Sequence, residues 1–190
     1  MNAVIASSVP QMSLLFALLA VVANVVVLAA LALWLGGKVS PTLADAGSSV
    51  RQAIAPSALW LAWIVALTCT LGSLYLSEVA HFIPCELCWF QRICMYPLVV
   101  LLLVAAIKHS REIARATLPL IVIGATISTY HYLVERFPSM ASGASCDPAA
   151  PCTVVWIWRF HYLSIPGMAL SGFALIAALI LAVPALSKES

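Results

Sequence analysis

The chain has 190 residues, of which 64% are hydrophobic and only 8% are charged, and its formal net charge is +2. A soluble domain carries about 25% charged residues, so this composition excludes an ordinary soluble protein and indicates an integral membrane protein. Because the sequence contains no basic cluster or stripe, its small positive charge does not indicate nucleic-acid binding.

Five apolar stretches are each long enough to cross a bilayer, which takes about 20 helical residues. Their apolar residues run continuously and do not alternate as in barrel strands. In chain order, the stretches are residues 12–34, 58–80, 89–107, 117–134 and 165–183. The sequence therefore predicts an all-α integral membrane protein with a four-helix transmembrane bundle core plus one extra N-terminal transmembrane helix. Residues 1–57 comprise that helix and a cytoplasmic linker, and residues 58–186 form the core.

The first stretch has two interpretations. "LADAG" at residues 43–47 resembles the small-residue cleavage site of a signal peptide. However, no positively charged residue precedes the stretch, and its apolar run is longer than the 7–15 residues usual in a signal peptide. We therefore expect a retained transmembrane helix.

The positions of Lys and Arg near the span ends predict the orientation. Positive residues follow the first span, occur in "KHSREIARA" at residues 108–116, and occur in the C-terminal tail. These segments share the cytoplasmic side if the N-terminus is outside and the C-terminus is cytoplasmic. The loops of residues 81–88 and 137–164 are then extracytoplasmic, although two arginines on that side weaken the charge bias.

Each of these extracytoplasmic loops contains a cysteine pair. Cys85 and Cys88 have the Cys-x-x-Cys spacing of redox-active dithiols, and a disulfide between them would restrain little chain entropy. Cys146 and Cys152 enclose a short, proline-containing loop that suits an accessible disulfide. Because both cysteine pairs lie on the same side of the membrane, we predict electron transfer from one pair to the other.

Two alternatives to this redox interpretation remain open. The pairs could be structural disulfides, or the four thiolates could bind zinc. The two remaining cysteines, Cys69 and Cys94, are predicted within spans, where a free cysteine usually acts as a small buried hydrophobe.

Two ionisable residues are predicted at membrane depth near the Cys-x-x-Cys motif. Counting from residues 108–116 places Arg92 and His131 at about 23 Å from that turn, so they could face each other on neighbouring helices. Snorkelling to the headgroups is the alternative for Arg92. Arg92 can stabilise negative charge on a carbonyl oxygen, and His131 can transfer protons and lower the pKa of Cys88. With the aromatic residues around them, they predict a pocket for a lipid-soluble planar acceptor.

The motifs "PCELCWFQR" and "STYHYLVERFP", followed by a Cys-x5-Cys loop and a final span, resemble the DsbB/BdbC family. The resemblance covers residues 59–181, and the short second loop is more similar to the BdbC branch. It implies a thiol:quinone oxidoreductase of the bacterial plasma membrane that reduces ubiquinone or menaquinone. The partner would be an extracytoplasmic, DsbA/BdbD-like thioredoxin-fold thiol oxidase. A vitamin-K-epoxide-reductase-like quinone reductase is an alternative, but the loop order and first motif favour the DsbB/BdbC family.

The resemblance also implies a role for each paired cysteine. Cys146 would be attacked by the reduced partner and would hold the mixed disulfide. Cys152 would then pair transiently with Cys85, and Cys88, released as a thiolate, would donate electrons to quinone. No metal is expected.

Three further residues are implied to bind the quinone. Arg92 would orient a quinone oxygen, and His131 would belong to the same pocket. Gln91 stands where some family members carry Glu, which puts proton transfer through this position in doubt. The aromatic segment of residues 153–166 is interpreted either as an amphipathic stretch at the membrane interface or as a plain connector.

Overall fold

The computed structural model describes residues 3–143, 146 and 150–183. The described chain is helical, with helices at α1 (Ala3–Gly36), α2 (Pro41–Ile54), α3 (Ala58–Leu74), α4 (Glu86–Ile107), α5 (Arg111–Ala116), α6 (Leu118–Arg136) and α7 (Ile165–Ala182). Among the described residues, five segments are long and apolar enough to cross a membrane, namely Val9–Gly36, Ala58–Val79, Glu86–Ile107, Arg111–Arg136 and Ile165–Ala182. The prediction of an all-α protein with five spanning helices is confirmed.

The predicted linker between the first and second spans contains a helix, α2, which the sequence pattern did not predict. Pro41 starts this helix at a position where its missing N–H costs no hydrogen bond. Gly36, at the end of α1, leaves room for the Leu43 side chain. At the other end of α2, the Arg51 Nε donates to the Ala182 carbonyl oxygen at 2.9 Å. This contact satisfies a carbonyl group at the end of α7 and fixes α2 to the bundle.

The bundle core is formed by α3, α4, α6 and α7, which pack through small residues. Ala58, Ala62 and Ala66 recur every fourth residue on α3 and are completely buried, so neighbouring helices can approach closely. Gly124 on α6 has the same effect, because a Cβ atom there would overlap the buried Phe173 ring of α7. The close packing places the ends of α4 and α6 side by side.

We call the end of the bundle where α4 begins and α6 ends the cysteine end. Two chain segments meet there. The Phe82 ring, just before α4, stacks on Trp156 with the ring centroids 4.9 Å apart. Arg136, at the end of α6, lies over the Trp158 ring at 4.8 Å.

The segment of residues 153–164 contains no helix among its residues, all of which the structure describes. The backbone of Arg159 pairs with Leu163 in both directions at 2.8 Å, and Phe160 and His161 have positive φ angles of 52° and 62°. Trp156 is 46% exposed whereas Leu163 is 1% exposed. The segment is therefore a tightly turned loop with exposed aromatic rings, and its location at the membrane interface stays a prediction.

Candidate active site

Cys85 and Cys88 lie at the start of α4. Cys85 is the N-cap residue, and its Sγ accepts a hydrogen bond from the Cys88 backbone N–H at 3.4 Å. The two sulfur atoms are 2.9 Å apart and both residues are free thiols. A helix N-terminus stabilises negative charge, so this position favours a thiolate on Cys85.

His131 forms a hydrogen-bonding contact with Cys85. Its Nε2 is 3.6 Å from the Cys85 Sγ, and its Nδ1 is 3.0 Å from the Gln91 Nε2. With the Gln91 amide donating to Nδ1, neutral His131 carries its proton on Nε2 and donates to the Cys85 sulfur. Both His131 and Gln91 are buried, so this short hydrogen-bonded chain is shielded from solvent.

The surroundings of Cys85 lower its pKa to about 4. The hydrogen bond from the Cys88 thiol is the largest cause, and it acts against desolvation, which raises the pKa. His131 and the Cys88 backbone N–H lower the pKa further. The cap position places the Cys85 sulfur against His131, so the hydrogen-bonding contact of His131 is with Cys85, and its predicted effect on Cys88 stays a prediction.

Arg92 is bound to α3. Its Nε donates to the Ser73 Oγ at 3.0 Å, its Nη2 donates to the Ser73 carbonyl oxygen at 3.1 Å, and its guanidinium lies over the Trp89 ring at 5.1 Å. The prediction that Arg92 and His131 face each other was wrong. Consecutive helical residues point about 100° apart, so Gln91 faces α6 while Arg92 faces α3.

A cavity of about 350 Å³ lies beside Cys88, between α1, α3, α4 and α7. Its wall is mainly apolar, and Cys88, Gln91 and Arg92 contribute polar groups to it. Cys85 and His131 lie outside the described wall. Gln91 and Arg92 share this wall, whereas His131 lies behind it in contact with Gln91, and its predicted part in binding the acceptor stays a prediction. An apolar cavity with one cation, and with a thiol of the Cys-x-x-Cys motif in its wall, fits a lipid-soluble planar acceptor.

Cys146 and Cys152 form a disulfide. Cys152 is only 2% exposed and lies in a buried cluster with Cys85, Leu87 and Val134, against which Cys88 and Cys146 pack. We call this group the cysteine cluster. The four predicted cysteines thus come together, with Cys146 more accessible than Cys152.

The disulfide bears on the zinc alternative, because disulfide-bonded sulfur is not available as a thiolate ligand. A four-cysteine site is therefore not formed in this structure. Cys85, Cys88 and His131 still offer three possible ligand atoms within 4.8 Å of one another.

The other two cysteines lie within the bundle. Cys94 is 4% exposed in the core, and Cys69 is partly buried, packs against the core and lines the cavity. Both therefore fill apolar space, as expected.

Sequence reasoning missed two residues of the site. Ser73 binds Arg92, but nothing distinguishes this serine from the other small polar residues of its span. Glu135 lies four residues after His131, on the same face of α6, and its Oε2 is buried without a hydrogen-bond partner among the described residues. An acidic residue near the end of an apolar span is a recognisable signal that was not used.

A transmembrane helical bundle with two cysteine pairs in one cluster, next to an apolar cavity, defines a membrane thiol–disulfide oxidoreductase. The family model for "Disulfide bond formation protein DsbB" matches residues 55–183. The chain therefore belongs to the DsbB family and supports disulfide-bond formation. The match begins after α1 and α2, so these two helices lie outside it.

Several curated relatives are named as disulfide formation proteins. "Disulfide bond formation protein C" of Bacillus subtilis is 45% identical over 118 residues, which cover 62% of this chain and 86% of the relative. "Probable disulfide formation protein C 1" of Bacillus cereus is 47% identical over 121 residues, covering 63% and 86%. A "Probable disulfide formation protein" of Coxiella burnetii is 42% identical over 109 residues, covering 57% and 74%. No solved structure matches the chain.

Proposed function

We propose that this protein reoxidises an extracytoplasmic thioredoxin-fold thiol oxidase, DsbA/BdbD-like, and passes the electrons to membrane ubiquinone or menaquinone. One observation carries the proposal: Cys88 both packs against the cysteine cluster and lines the apolar cavity with Arg92. Electrons that arrive from Cys146 and Cys152 would thus leave through a sulfur that faces a lipid-soluble acceptor.

The first exchange begins at Cys146. A thiolate of the reduced partner attacks the Cys146 sulfur, which is more accessible than that of Cys152, and the Cys146–Cys152 bond breaks. The Cys152 thiolate then attacks Cys85 of an oxidised Cys85–Cys88 pair, and Cys88 leaves as a thiolate. This attack needs little movement, because Cys152 and Cys85 lie in the same buried cluster.

Two further exchanges restore the second loop. The partner's other thiolate attacks the partner's sulfur in the mixed disulfide. This exchange releases the Cys146 thiolate and leaves the partner oxidised. The Cys146 thiolate then attacks Cys152, which reforms their disulfide and releases Cys85. The sum is one partner dithiol oxidised and one Cys85–Cys88 disulfide reduced. The described chain has this distribution, with the Cys146–Cys152 disulfide formed and the other two thiols free.

Reoxidation of Cys85 and Cys88 completes the cycle. Quinone bound in the cavity would supply the oxidising power: it would take up the two electrons of Cys85 and Cys88 with two protons, one from the Cys88 thiol and one from the medium, and would be released as quinol. Cys88 faces the cavity, and the Cys85 thiolate, whose pKa is about 4, lies 2.9 Å from the Cys88 sulfur and closes the disulfide with it. Arg92 supplies positive charge in the cavity wall, and Ser73 fixes its orientation. His131 and Gln91 hold the Cys85 sulfur.

The proposal includes an orientation. The cysteine end faces the extracytoplasmic side of a bacterial plasma membrane, with the N-terminus outside and the C-terminus cytoplasmic. The basic residues Arg51 and Arg115 support this arrangement, because both bind carbonyl groups at the opposite end of the bundle, at Ala182 and Val183.

The test is quinone reduction by the purified protein in detergent, with a reduced thioredoxin-fold oxidase as electron donor. Quinone absorbance is followed for the wild type and for Cys88→Ser and Cys146→Ser, with Cys94→Ala as a control because Cys94 packs in the core. We expect turnover in the wild type and the control and none in the other two variants. A wild type that reduces no quinone with several such donors contradicts the proposal.

A zinc site is the second candidate, favoured by the proximity of Cys85, Cys88 and His131. Metal analysis of the same preparations separates the two functions. Stoichiometric zinc that disappears in Cys85→Ser, together with an inactive wild type, supports metal binding. An active wild type without stoichiometric zinc supports the thiol:quinone oxidoreductase.

A further inference from the structure

The cavity beside Cys88 has a wall that the family match does not contain. Five residues of α1 line it, namely Phe16, Leu19, Ala20, Val22 and Ala23. Four of them follow the i, i+3, i+4, i+7 spacing of a single helix face. We infer that this face of α1 binds the isoprenoid tail of the quinone, an inference that rests on the proposed function.

The side chains on this face of α1 suit the tail of the quinone better than its ring. The α1 residues in the wall are aromatic or aliphatic and offer no side-chain hydrogen bond to a quinone oxygen. The cation of the same cavity, Arg92, and the thiol of the Cys-x-x-Cys motif, Cys88, both belong to α4. A quinone ring held at α4 would leave its apolar tail to be covered by the remaining walls, including α1.

The face is held firmly against the bundle. Ala17 and Ala20 are buried in a cluster with Leu163, which precedes α7. Phe16 reaches α3, where a Cβ atom on Gly72 would lie 3.2 Å from its ring, so the glycine permits a close approach. Phe16 also contacts the Tyr75 ring edge-on, with a centroid distance of 6.3 Å. The α1 wall is thus a packed part of the cavity.

A polar contact fixes the same helix at the cysteine end. The Arg159 Nη2 donates to the Ser13 Oγ at 2.8 Å and to the Pro10 carbonyl oxygen at 3.0 Å, and its Nε donates to the Ser13 Oγ at 3.3 Å. Ser13 is 3% exposed. Arg159 follows Cys152 in the second loop, and Trp156 of that loop also lines the cavity. The register of α1 is therefore set by the loop that carries the second cysteine pair.

Leu18 and Leu19 provide a matched pair for the test. Both are exposed to a similar extent, 48% and 45%, but Leu19 lines the cavity and Leu18 is not part of its described wall. Leu19→Trp should raise the KM for a quinone with an isoprenoid tail by about tenfold, because the larger ring occupies the space of the tail. Its kcat and its KM for a tail-less quinone should stay near the wild-type values. Leu18→Trp should change neither KM.

A binding measurement without turnover completes the test. The wild type is photolabelled with a quinone that carries an azido group on its tail, in the absence of any thiol donor, and the labelled peptides are identified by mass spectrometry. We expect label on α1 peptides, reduced by Leu19→Trp and unchanged by Leu18→Trp. Label confined to α3, α4 and α7 overturns the inference, as do equal effects of the two tryptophan variants on KM. These outcomes leave the proposed function intact, whereas a wild type that reduces no quinone contradicts the proposed function itself.

Discussion

The sulfur atoms of Cys85 and Cys88 lie 2.9 Å apart, yet the two residues have different surroundings. Cys85 caps α4 and contacts His131, whereas Cys88 lines the apolar cavity together with Arg92. Chemically identical thiols therefore have different environments. In the proposed function, Cys85 would be the stabilised thiolate that exchanges with the second pair, and Cys88 would face the acceptor.

The low pKa of Cys85 predicts the pH dependence of its ionisation. In the reduced protein, ultraviolet thiolate absorbance from Cys85 should persist down to about pH 4, far below the ordinary value of 9.0. Since the folded protein binds fewer protons than the unfolded chain between these values, its free energy of unfolding rises with pH over this interval. That stabilisation is lost as the pH falls through about 4.

A titration of thiolate absorbance checks this prediction in the wild type, Cys85→Ser and Cys88→Ala. Cys85→Ser should remove the transition near pH 4, and Cys88→Ala should move it upwards, because it removes the side-chain hydrogen bond that is the largest cause of the shift. A transition that survives Cys85→Ser would assign the thiolate to another cysteine.

Replacement of His131 should impair the relay. His131→Phe removes the donor to the Cys85 sulfur and leaves the Gln91 amide without its partner, so we expect at least about a tenfold slower turnover. Tyr132→Phe is the matched control. The Tyr132 hydroxyl donates to the Tyr162 carbonyl oxygen and forms no hydrogen bond with a thiol in the described residues. Equal rates in the two variants, measured by quinone absorbance, would show that the His131 contact has no role in turnover.

Replacement of Arg92 should weaken quinone binding and leave the thiol–disulfide exchange unchanged. Arg92→Ala should raise the KM for quinone by about tenfold, and Ser73→Ala should have a smaller effect in the same direction because Ser73 orients the guanidinium. The rate at which the partner reduces the Cys85–Cys88 disulfide should be unchanged. This rate is measured by thiol alkylation in the absence of quinone. Arg136→Ala is the control, since Arg136 lies over Trp158 and outside the described cavity wall. Slow thiol exchange in Arg92→Ala would contradict this assignment.

The difference in exposure between Cys146 and Cys152 predicts which of them binds the partner. Mixed with the oxidised partner, Cys152→Ser should accumulate a mixed disulfide, because the free Cys146 thiolate attacks the partner's disulfide, one partner thiolate leaves, and no Cys152 thiol is present to displace the partner from Cys146. Cys146→Ser should accumulate little, since Cys152 is only 2% exposed. Non-reducing electrophoresis of mixtures with the partner measures both. The reverse pattern would assign the partner to Cys152.

The sequence was sufficient for features that depend on residue type along the chain. Uninterrupted apolar stretches predict spanning helices because of their length, and the cysteine spacings predict the two pairs. The helix α2 was missed because the Gly and Ser residues of its segment are also typical of linkers. Its stability depends on tertiary contacts, such as Arg51 with the end of α7, which sequence patterns do not reveal.

Features that depend on helix rotation could not be predicted. Counting residues along the helices gives Arg92 and His131 a level in the bundle, but a level does not determine which neighbouring helix a side chain faces. The rotation of α4 directs Gln91 to His131 and Arg92 to Ser73, and this rotation results from the packing of the whole bundle. The α1 wall was missed for a related reason, because its aliphatic residues resemble any lipid-facing surface.

The position of Cys88, which belongs both to the cysteine cluster and to the cavity wall, has a kinetic consequence. The two half-reactions meet at one sulfur atom, so the soluble thiol donor and the lipid acceptor never need to be bound together. The enzyme should then show ping-pong kinetics, with parallel lines in double-reciprocal plots when the two substrates are varied.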